Sequence, residues 1–246
     1  MVLETIINRP TTPLLLLTHF RGVIDKYDSL LVNTLAQHRR VILADYAGVG
    51  LITGAVASSV RQSAADMLAF LSLIGEREVD VLGFSFGGTV AQLMALNADP
   101  AGKAKVRKLI LAGTSSSMGE GVRRSPNTDV FEVAAAKEVT IETFKRLFFL
   151  GNAEGTAAAE QWWARIHERS AATGCEEGSF ERLKGLDIPV LVMNGHDDYM
   201  TPTVNSWVIQ QRLPNAELLI YPNSGHGAIF QYASYFAPHA LAFLSS

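Results

Sequence analysis

Three short segments of this chain carry residues that can do nucleophilic chemistry together. Ser85 sits in Gly83-Phe84-Ser85-Phe86-Gly87, a Gly-x-Ser-x-Gly pattern. His226 lies in Asn223-Ser224-Gly225-His226-Gly227, and two adjacent carboxylates stand in Asn194-Gly195-His196-Asp197-Asp198-Tyr199-Met200-Thr201-Pro202. A serine hydroxyl is a poor nucleophile until a base takes its proton, and an imidazole oriented by a carboxylate is the usual device. The chain order is serine, aspartate, histidine, one of the orders in which such a set is assembled. At this level either Asp197 or Asp198 can be the acid.

The pentapeptide alone is a weak signal; its flanks strengthen it. Val79-Asp80-Val81-Leu82 before it reads as a strand, and Thr89–Leu96 after it as a helix. A serine forced into a sharp strand-to-helix turn projects its Oγ away from the sheet. Gly83 and Gly87 remove the Cβ atoms that would block the approach of helix to strand, and Gly88 adds room. The helix start also supplies unpaired N–H groups and the positive end of the macrodipole where an oxyanion would develop. The plain structural alternative is a glycine-rich turn with a solvent-facing serine.

Six histidines compete for the base. His226 follows the last apolar run, and its flanking glycines let the loop swing the ring back over the strand ends. His239 follows Pro238 in an apolar stretch that reads as a terminal helix, a structural position. His38 and His167 read as surface positions on helices. The carboxylate loop follows the run Val190–Asn194 and so sits at a strand's C-terminal end, the edge where ligands collect in open α/β sheets. Asp198 also has a structural reading, since aspartate in a turn often bonds its own backbone.

These groups need a scaffold, and the apolar runs supply one. Leu14–Thr18, Val41–Asp45, Val79–Gly83, Leu109–Gly113, Val190–Asn194 and Leu218–Tyr221 are continuous rather than alternating, as strands buried on both faces of a parallel sheet are. Between most of them lie helical patterns. In Ser58–Ile74, residues Val60, Ala64, Met67, Leu68, Leu71 and Ile74 form one stripe, and Val90–Leu96 runs on from the Ser85 turn. The alternation predicts an α/β sheet with helices on both sides. The rhythm breaks between residues 119 and 185, where Phe131–Lys137, Ile141–Phe149 and Ala157–Ser170 read as helices. An insertion that long is expected to be a helical cap rather than a structureless loop. The expected organisation is one domain: a core of residues 1–118 and 186–246 carrying a cap at 119–185.

Composition narrows the function classes. The 246 residues are 48% hydrophobic and 18% charged, enough for a sizeable core and too little charge for disorder. A net charge of −3 gives no electrostatic case for nucleic acid or an anionic membrane. The pairs Arg39-Arg40 and Arg123-Arg124 read as solvated surface. Cys175 is the single cysteine, with glutamates beside it and no zinc-ligand spacing around it. No metal or cofactor is expected. Residues 1–10 lack a basic segment followed by an apolar core, and Leu14–Leu17 is far too short to cross a bilayer, so the expectation is a soluble, cytoplasmic protein.

The chain resembles the α/β-hydrolase superfamily, and within it the compact esterase, enol-lactonase and cofactor-free haloperoxidase-type branch. Gly83–Gly88, Asp45-Tyr46-Ala47-Gly48-Val49-Gly50, Asn194–Pro202 and Ser224–Gly227 carry the resemblance, which runs from about Leu14 to Leu244. It implies an α/β-hydrolase fold, a mostly parallel sheet flanked by helices with a helical cap insertion. In similar proteins the acid lies three residues after the glycine and four before the proline, which selects Asp198 and leaves Asp197 an exposed or capping neighbour. The resemblance also implies two backbone donors to an oxyanion, Phe86 N–H and a second from the loop after the first core strand. Relatives carry His-Gly-x there; this chain has Thr18-His19-Phe20, so Phe20 supplies the N–H and His19 replaces the glycine. Asp45 is expected to hold its turn by hydrogen bonds, and Ile52 stands where relatives commonly have serine.

Pocket residues are less constrained. His19 either touches substrate or hydrogen-bonds locally. Phe20, Phe84 and Phe86 crowd one edge and suit either an apolar acyl pocket or ordinary core. Phe148, Phe149, Trp162 and Trp163 either roof that pocket or pack among themselves. His19, Phe84, Tyr199 and Trp162 are the candidate substrate contacts. Relatives open with a hairpin; only thirteen residues precede Leu14 here, enough for one short strand over Leu3–Ile7. That leaves a sheet edge open to pairing with another copy, a route to a homo-oligomer. The expected activity is hydrolysis of a small, apolar ester or lactone through an acyl-serine. The alternatives are perhydrolysis with peroxide and a non-catalytic small-molecule receptor, since a fold does not fix a function.

Overall fold

The apolar runs become the strands of one seven-stranded sheet. In this computed structural model, residues 3–5, 12–97, 105–134, 136, 140–166 and 179–246 are described. The strands are β1 (Leu3–Thr5), β2 (Leu14–Leu17), β3 (Val41–Leu43), β4 (Glu78–Phe84), β5 (Lys105–Ala112), β6 (Val190–Gly195) and β7 (Ala216–Tyr221), in the spatial order β1-β3-β2-β4-β5-β6-β7. The strands β2 to β7 are all parallel, and β1 runs antiparallel to β3 at the edge. The parallel strands therefore end on one edge, and the loops there hold Ser85, Asp198 and His226.

The helices are α1 (Ser29–Ala36), α2 (Val60–Leu73), α3 (Phe86–Asn97), α4 (Val130–Ala134), α5 (Ile141–Phe148), α6 (Ala153–Trp163), α7 (Thr203–Arg212), α8 (Ala228–Gln231) and α9 (Ala233–Ser245). The continuous apolar strands are buried on both faces because two cores flank the sheet. Leu15, Leu17, Val79, Val81, Leu109, Leu111, Val190 and Val192 face α2, α3 and α7. Leu14, Leu16, Leu82, Phe84, Ile110, Leu191 and Met193 face α1, α8, α9 and the helices between β5 and β6. Alternate residues of one strand thus serve opposite cores, as a two-fold side-chain period requires.

Helix ends follow local rules. Ser59 caps α2 by accepting from Gln62 N–H, Asp28 caps α1 through Leu30 N–H, and Thr140 with Thr143 forms a reciprocal capping box on α5. The three helical stretches expected after residue 119 appear as α4, α5 and α6. Helix α5 starts at Ile141 as expected, while α6 starts at Ala153 rather than Ala157 because Asn152 caps it by accepting from Gly155 N–H, a signal periodicity does not carry. Lys137, His167, Cys175 and the ends of the Leu3–Ile7 and Ala157–Ser170 readings lie outside the described residues.

Arg39 is not the solvated surface residue its pairing with Arg40 suggested. Its side chain is buried, and Nη2 lies 2.5 Å from Asp80 Oδ2 and donates to Thr12 C=O at 2.7 Å. Arg107 adds a two-pronged contact to Asp80, at 2.9 Å and 2.5 Å. Asp80 on β4 is fully buried, and a carboxylate inside a sheet requires paired cations. Arg40 reaches Glu76.

Candidate active site

Ser85 leaves β4 and enters α3 at φ +55°, the left-handed region that L-residues avoid. Holding a non-glycine there costs about 1–3 kcal/mol. The turn is tied down on several sides. Ser85 N–H donates to Ala112 C=O at 2.9 Å, and its own carbonyl accepts from Gly88 N–H at 2.9 Å and from the Thr114 hydroxyl at 2.7 Å. The three glycines have separate reasons. A Cβ on Gly83 would meet Gly87 C=O at 2.3 Å, one on Gly87 would meet Leu17 C=O at 2.2 Å, and one on Gly88 would meet Thr114 Cβ at 2.5 Å. Helix α3 thus starts hard against the ends of β2 and β4.

His226 Nε2 lies 2.9 Å from Ser85 Oγ, and His226 Nδ1 lies 2.8 Å from Asp198 Oδ2. Both rings of contact are shielded, with His226 1% and Asp198 4% exposed. Asp198 Oδ1 accepts from the N–H groups of Met200 and Thr201 at 2.9 Å and 3.0 Å, and the Thr201 hydroxyl lies 2.7 Å from Oδ2. A carboxylate so held presents a fixed acceptor to Nδ1–H, which leaves the Nε2 lone pair directed at the serine. Asp197 instead points outward, its Oδ1 2.9 Å from His196 Nδ1. The loops bearing acid and imidazole are stitched together. Asp197 N–H donates to Ser224 C=O, Gly227 N–H donates to Phe148 C=O on the helical insertion, and a Cβ on Gly195 would strike Gly225 C=O at 2.2 Å.

The profile of the alpha/beta hydrolase family matches residues 17–242. The chain belongs to this family. Among curated relatives it is 26% identical to a non-heme haloperoxidase of Rhodococcus erythropolis over 245 residues, covering 90% of this chain and 88% of that protein. It is 26% identical to a 2-hydroxymuconate semialdehyde hydrolase of Pseudomonas putida over 223 residues, covering 82% and 75% respectively. Among solved structures, an alpha/beta hydrolase fold protein from Chitinophaga pinensis superposes with a TM-score of 0.85 at 29% identity, covering all of this chain and 93% of the other. The esterase RhEst1 from Rhodococcus sp. ECU1013 gives 0.75 at 25% identity, covering 96% and 91%. The fold is therefore the α/β-hydrolase fold.

In this family member Ser85 and His226 open onto a cavity of about 570 Å³. Phe20 and Phe86 line the same cavity, and among the described residues neither N–H has an acceptor. Phe86 N–H is one of the unpaired amides of the α3 start. Phe20 sits in a tight turn closed by Gly22 N–H to His19 C=O at 2.9 Å, with Arg21 at φ +58°. Phe144, Leu147 and Phe148 from α5 form the apolar wall opposite.

The four candidate substrate contacts separate. His19 lines the cavity. Phe84 does not; it is buried beneath His226 and His19, at ring-centroid distances of 5.1 Å and 5.7 Å, and supports both rings. Trp162 is 0% exposed and belongs to the core, packed on Phe144 and Phe230, because α6 turns this face inward. Tyr199 is half-buried in an outer groove with Arg146 and Phe149 rather than in the Ser85 cavity. Of the expected roof, Phe148 is a wall residue, while Phe149 and Trp163 are not.

Burial, together with the nearby His226 and Lys26, lowers the pKa of His19 from 6.5 to about 4. Its Nδ1 lies 2.9 Å from Phe20 C=O, so Nδ1 carries the proton, and among the described residues the buried Nε2 has no hydrogen-bond partner. Asp45 holds its neighbourhood differently from expectation: Oδ1 accepts from Ile24 N–H at 2.7 Å, tying the loop after β3 to the one after β2. Among the described residues no cluster of histidine, cysteine and carboxylate side chains could hold a metal, and no helix is long and apolar enough to cross a membrane.

Three supporting residues have no motif of their own. Thr201 orients Asp198, Thr114 holds the Ser85 carbonyl, and Arg21 donates to Ala134 C=O at 3.0 Å and Ala136 C=O at 2.6 Å at the end of α4. Only Thr201 had a sequence signal, a hydroxyl three residues after an aspartate in a turn.

Proposed function

We propose that the chain is a serine hydrolase that cleaves a small carboxylic ester or lactone with an apolar stem through an acyl-serine intermediate. The pair of hydrogen bonds from Ser85 Oγ–H to His226 Nε2 and from His226 Nδ1–H to Asp198, at the floor of a cavity, carries this reading. His226 Nε2 takes the Ser85 proton as Oγ bonds to the carbonyl carbon. Asp198 holds the imidazolium through Nδ1–H and does not itself take the proton. The oxyanion is received by the N–H groups of Phe20 and Phe86, each such donor being worth about 3–4 kcal/mol of transition-state stabilisation. The imidazolium then gives its proton to the leaving alkoxide. Water, deprotonated by the same Nε2, attacks the acyl carbon and returns Ser85 to its hydroxyl form.

The relatives named non-heme haloperoxidase and chloroperoxidase favour one second reading. Here hydrogen peroxide replaces water at the acyl-serine, so that Ser85 leaves and a peracid forms. Turnover of p-nitrophenyl acetate and butyrate by the wild type and by Ser85→Ala tests the common part. Loss of activity in the variant supports the nucleophile, and equal rates in both would rule it out. Adding peroxide and measuring peracid separates the two acceptors. Tight binding of an apolar ligand without turnover would instead favour a receptor.

A further inference from the structure

The wall of the Ser85 cavity has an unbalanced charge. Arg21, Lys26, Arg123 and Arg124 line it, and among the described residues no aspartate or glutamate does. The chain as a whole carries a net charge of −3, so the imbalance belongs to the cavity and not to the protein. Asp198, the acid of the hydrogen-bonded chain, stands behind the His226 ring and does not reach the wall. A concave surface with one sign of charge and low-dielectric walls concentrates ligands of the opposite sign.

The four cations differ in what they have left to offer. The Arg21 guanidinium is engaged by the carbonyls of Ala134 and Ala136. Lys26 is buried over the faces of Phe144 and Trp163, at 5.5 Å and 5.2 Å, and is not counted toward ligand binding. Arg123 and Arg124 are exposed, and among the described residues neither side chain makes an ion pair. The backbone at Arg123 is nonetheless fixed. The Asn205 side chain accepts from Arg123 N–H at 2.7 Å and donates to Arg123 C=O at 2.8 Å, and Asn205 is itself a buried cavity residue on α7. Two arginines are thus presented at the mouth of a cavity whose inner wall, at Phe144, Leu147 and Phe148, is apolar.

We infer that the substrate is an ester with an anionic far end, a half-ester of a small dicarboxylic acid, whose free carboxylate is received by Arg123 and Arg124 while its apolar stem crosses the cavity to Ser85. This rests on the hydrolase reading and adds the substrate class to it. Arginine suits the role because its planar fork meets both oxygens of a carboxylate.

The test pairs monomethyl succinate, glutarate and adipate with the methyl esters of the unsubstituted acids of equal chain length, followed by acid release. For at least one length the half-ester should have kcat/KM higher by about tenfold, the scale of a charge-assisted contact. That ratio should fall toward one in Arg123→Gln/Arg124→Gln, and should also fall as ionic strength rises, which rim charges do and apolar contacts do not. Reading the ratio within one protein removes any dependence on expression or partial misfolding, and a thermal melt checks the fold. Ratios of one or below at every length overturn the inference, as does a preference that the double variant leaves intact. Either result leaves Ser85-dependent hydrolysis standing, whereas turnover that survives Ser85→Ala would remove the hydrolase reading itself.

Discussion

Replacing His19 by phenylalanine keeps a ring among Phe84, Phe144 and Phe148 and removes one titrating group. The structure fixes what that group does to stability. Burial beside Lys26 and His226 lowers the His19 pKa from 6.5 to about 4. In the window between those values the unfolded chain binds a proton that the folded chain refuses. Stability from a neutral His19 is therefore fully present above the unfolded value and is lost as pH falls toward the folded one. The gap corresponds to about 3 kcal/mol, of which about 2 kcal/mol is lost between pH 7 and pH 5. Urea unfolding of wild type and His19→Phe across that range measures it by difference, since the other titrating groups are common to both proteins. The wild type should lose about 2 kcal/mol more than the variant over the two pH units. Parallel curves, agreeing within about 0.5 kcal/mol, would mean that His19 protonates freely in the folded state, and the account of a desolvated ring on the cavity wall would be wrong.

Other substitutions probe the remaining parts of the site. Asp198→Asn should lower kcat by about 10⁴-fold, the loss expected when an imidazole is held in the wrong tautomer, while Asp197→Asn stays within about twofold; equal effects would contradict the assignment made by the 2.8 Å contact. Gly87→Ala places a Cβ 2.2 Å from Leu17 C=O, a backbone atom that cannot step aside. It should cost about 1–3 kcal/mol by overpacking, and an unchanged Tm would refute the close approach of α3 to β2. Arg21→Gly suits the φ of +58° while removing the guanidinium that joins the Phe20 turn to the end of α4. We expect kcat to fall about tenfold and to recover with guanidinium ions in the buffer; unchanged kcat would show that the turn holds its shape alone.

The central strands were legible because Leu14–Leu17, Leu109–Ala112 and Val190–Met193 are apolar runs buried on both faces of the sheet. Ser85 and His226 were legible because glycines mark the turns that aim them. Gly83, Gly87 and Gly88 each answer a particular steric contact. Choosing Asp198 over Asp197 needed family spacing, since two adjacent aspartates in a turn have the same local chemistry until one of them meets an imidazole. Helix α1 and helix α7 were not read. Their starts are set by the Asp28 cap and by Pro202, and their exposed faces dilute the periodicity. Trp162 and Tyr199 were misplaced for a related reason: spacing along a helix or loop says which side chains share a face, and only packing against α5 and α8 says which way that face turns. Arg39 was misread because its partner, Asp80, lies on a strand two positions away in the sheet.

The central claim is that Ser85 is a nucleophile made reactive by His226. A fluorophosphonate probe reports this directly, because it phosphonylates a serine, with loss of fluoride, only where a base removes the proton and backbone donors receive the negative charge. Labelling of the folded protein followed by peptide mapping should place the adduct on Ser85, and labelling should vanish in His226→Ala. An adduct elsewhere, or a folded protein that the probe leaves unlabelled, would contradict the account.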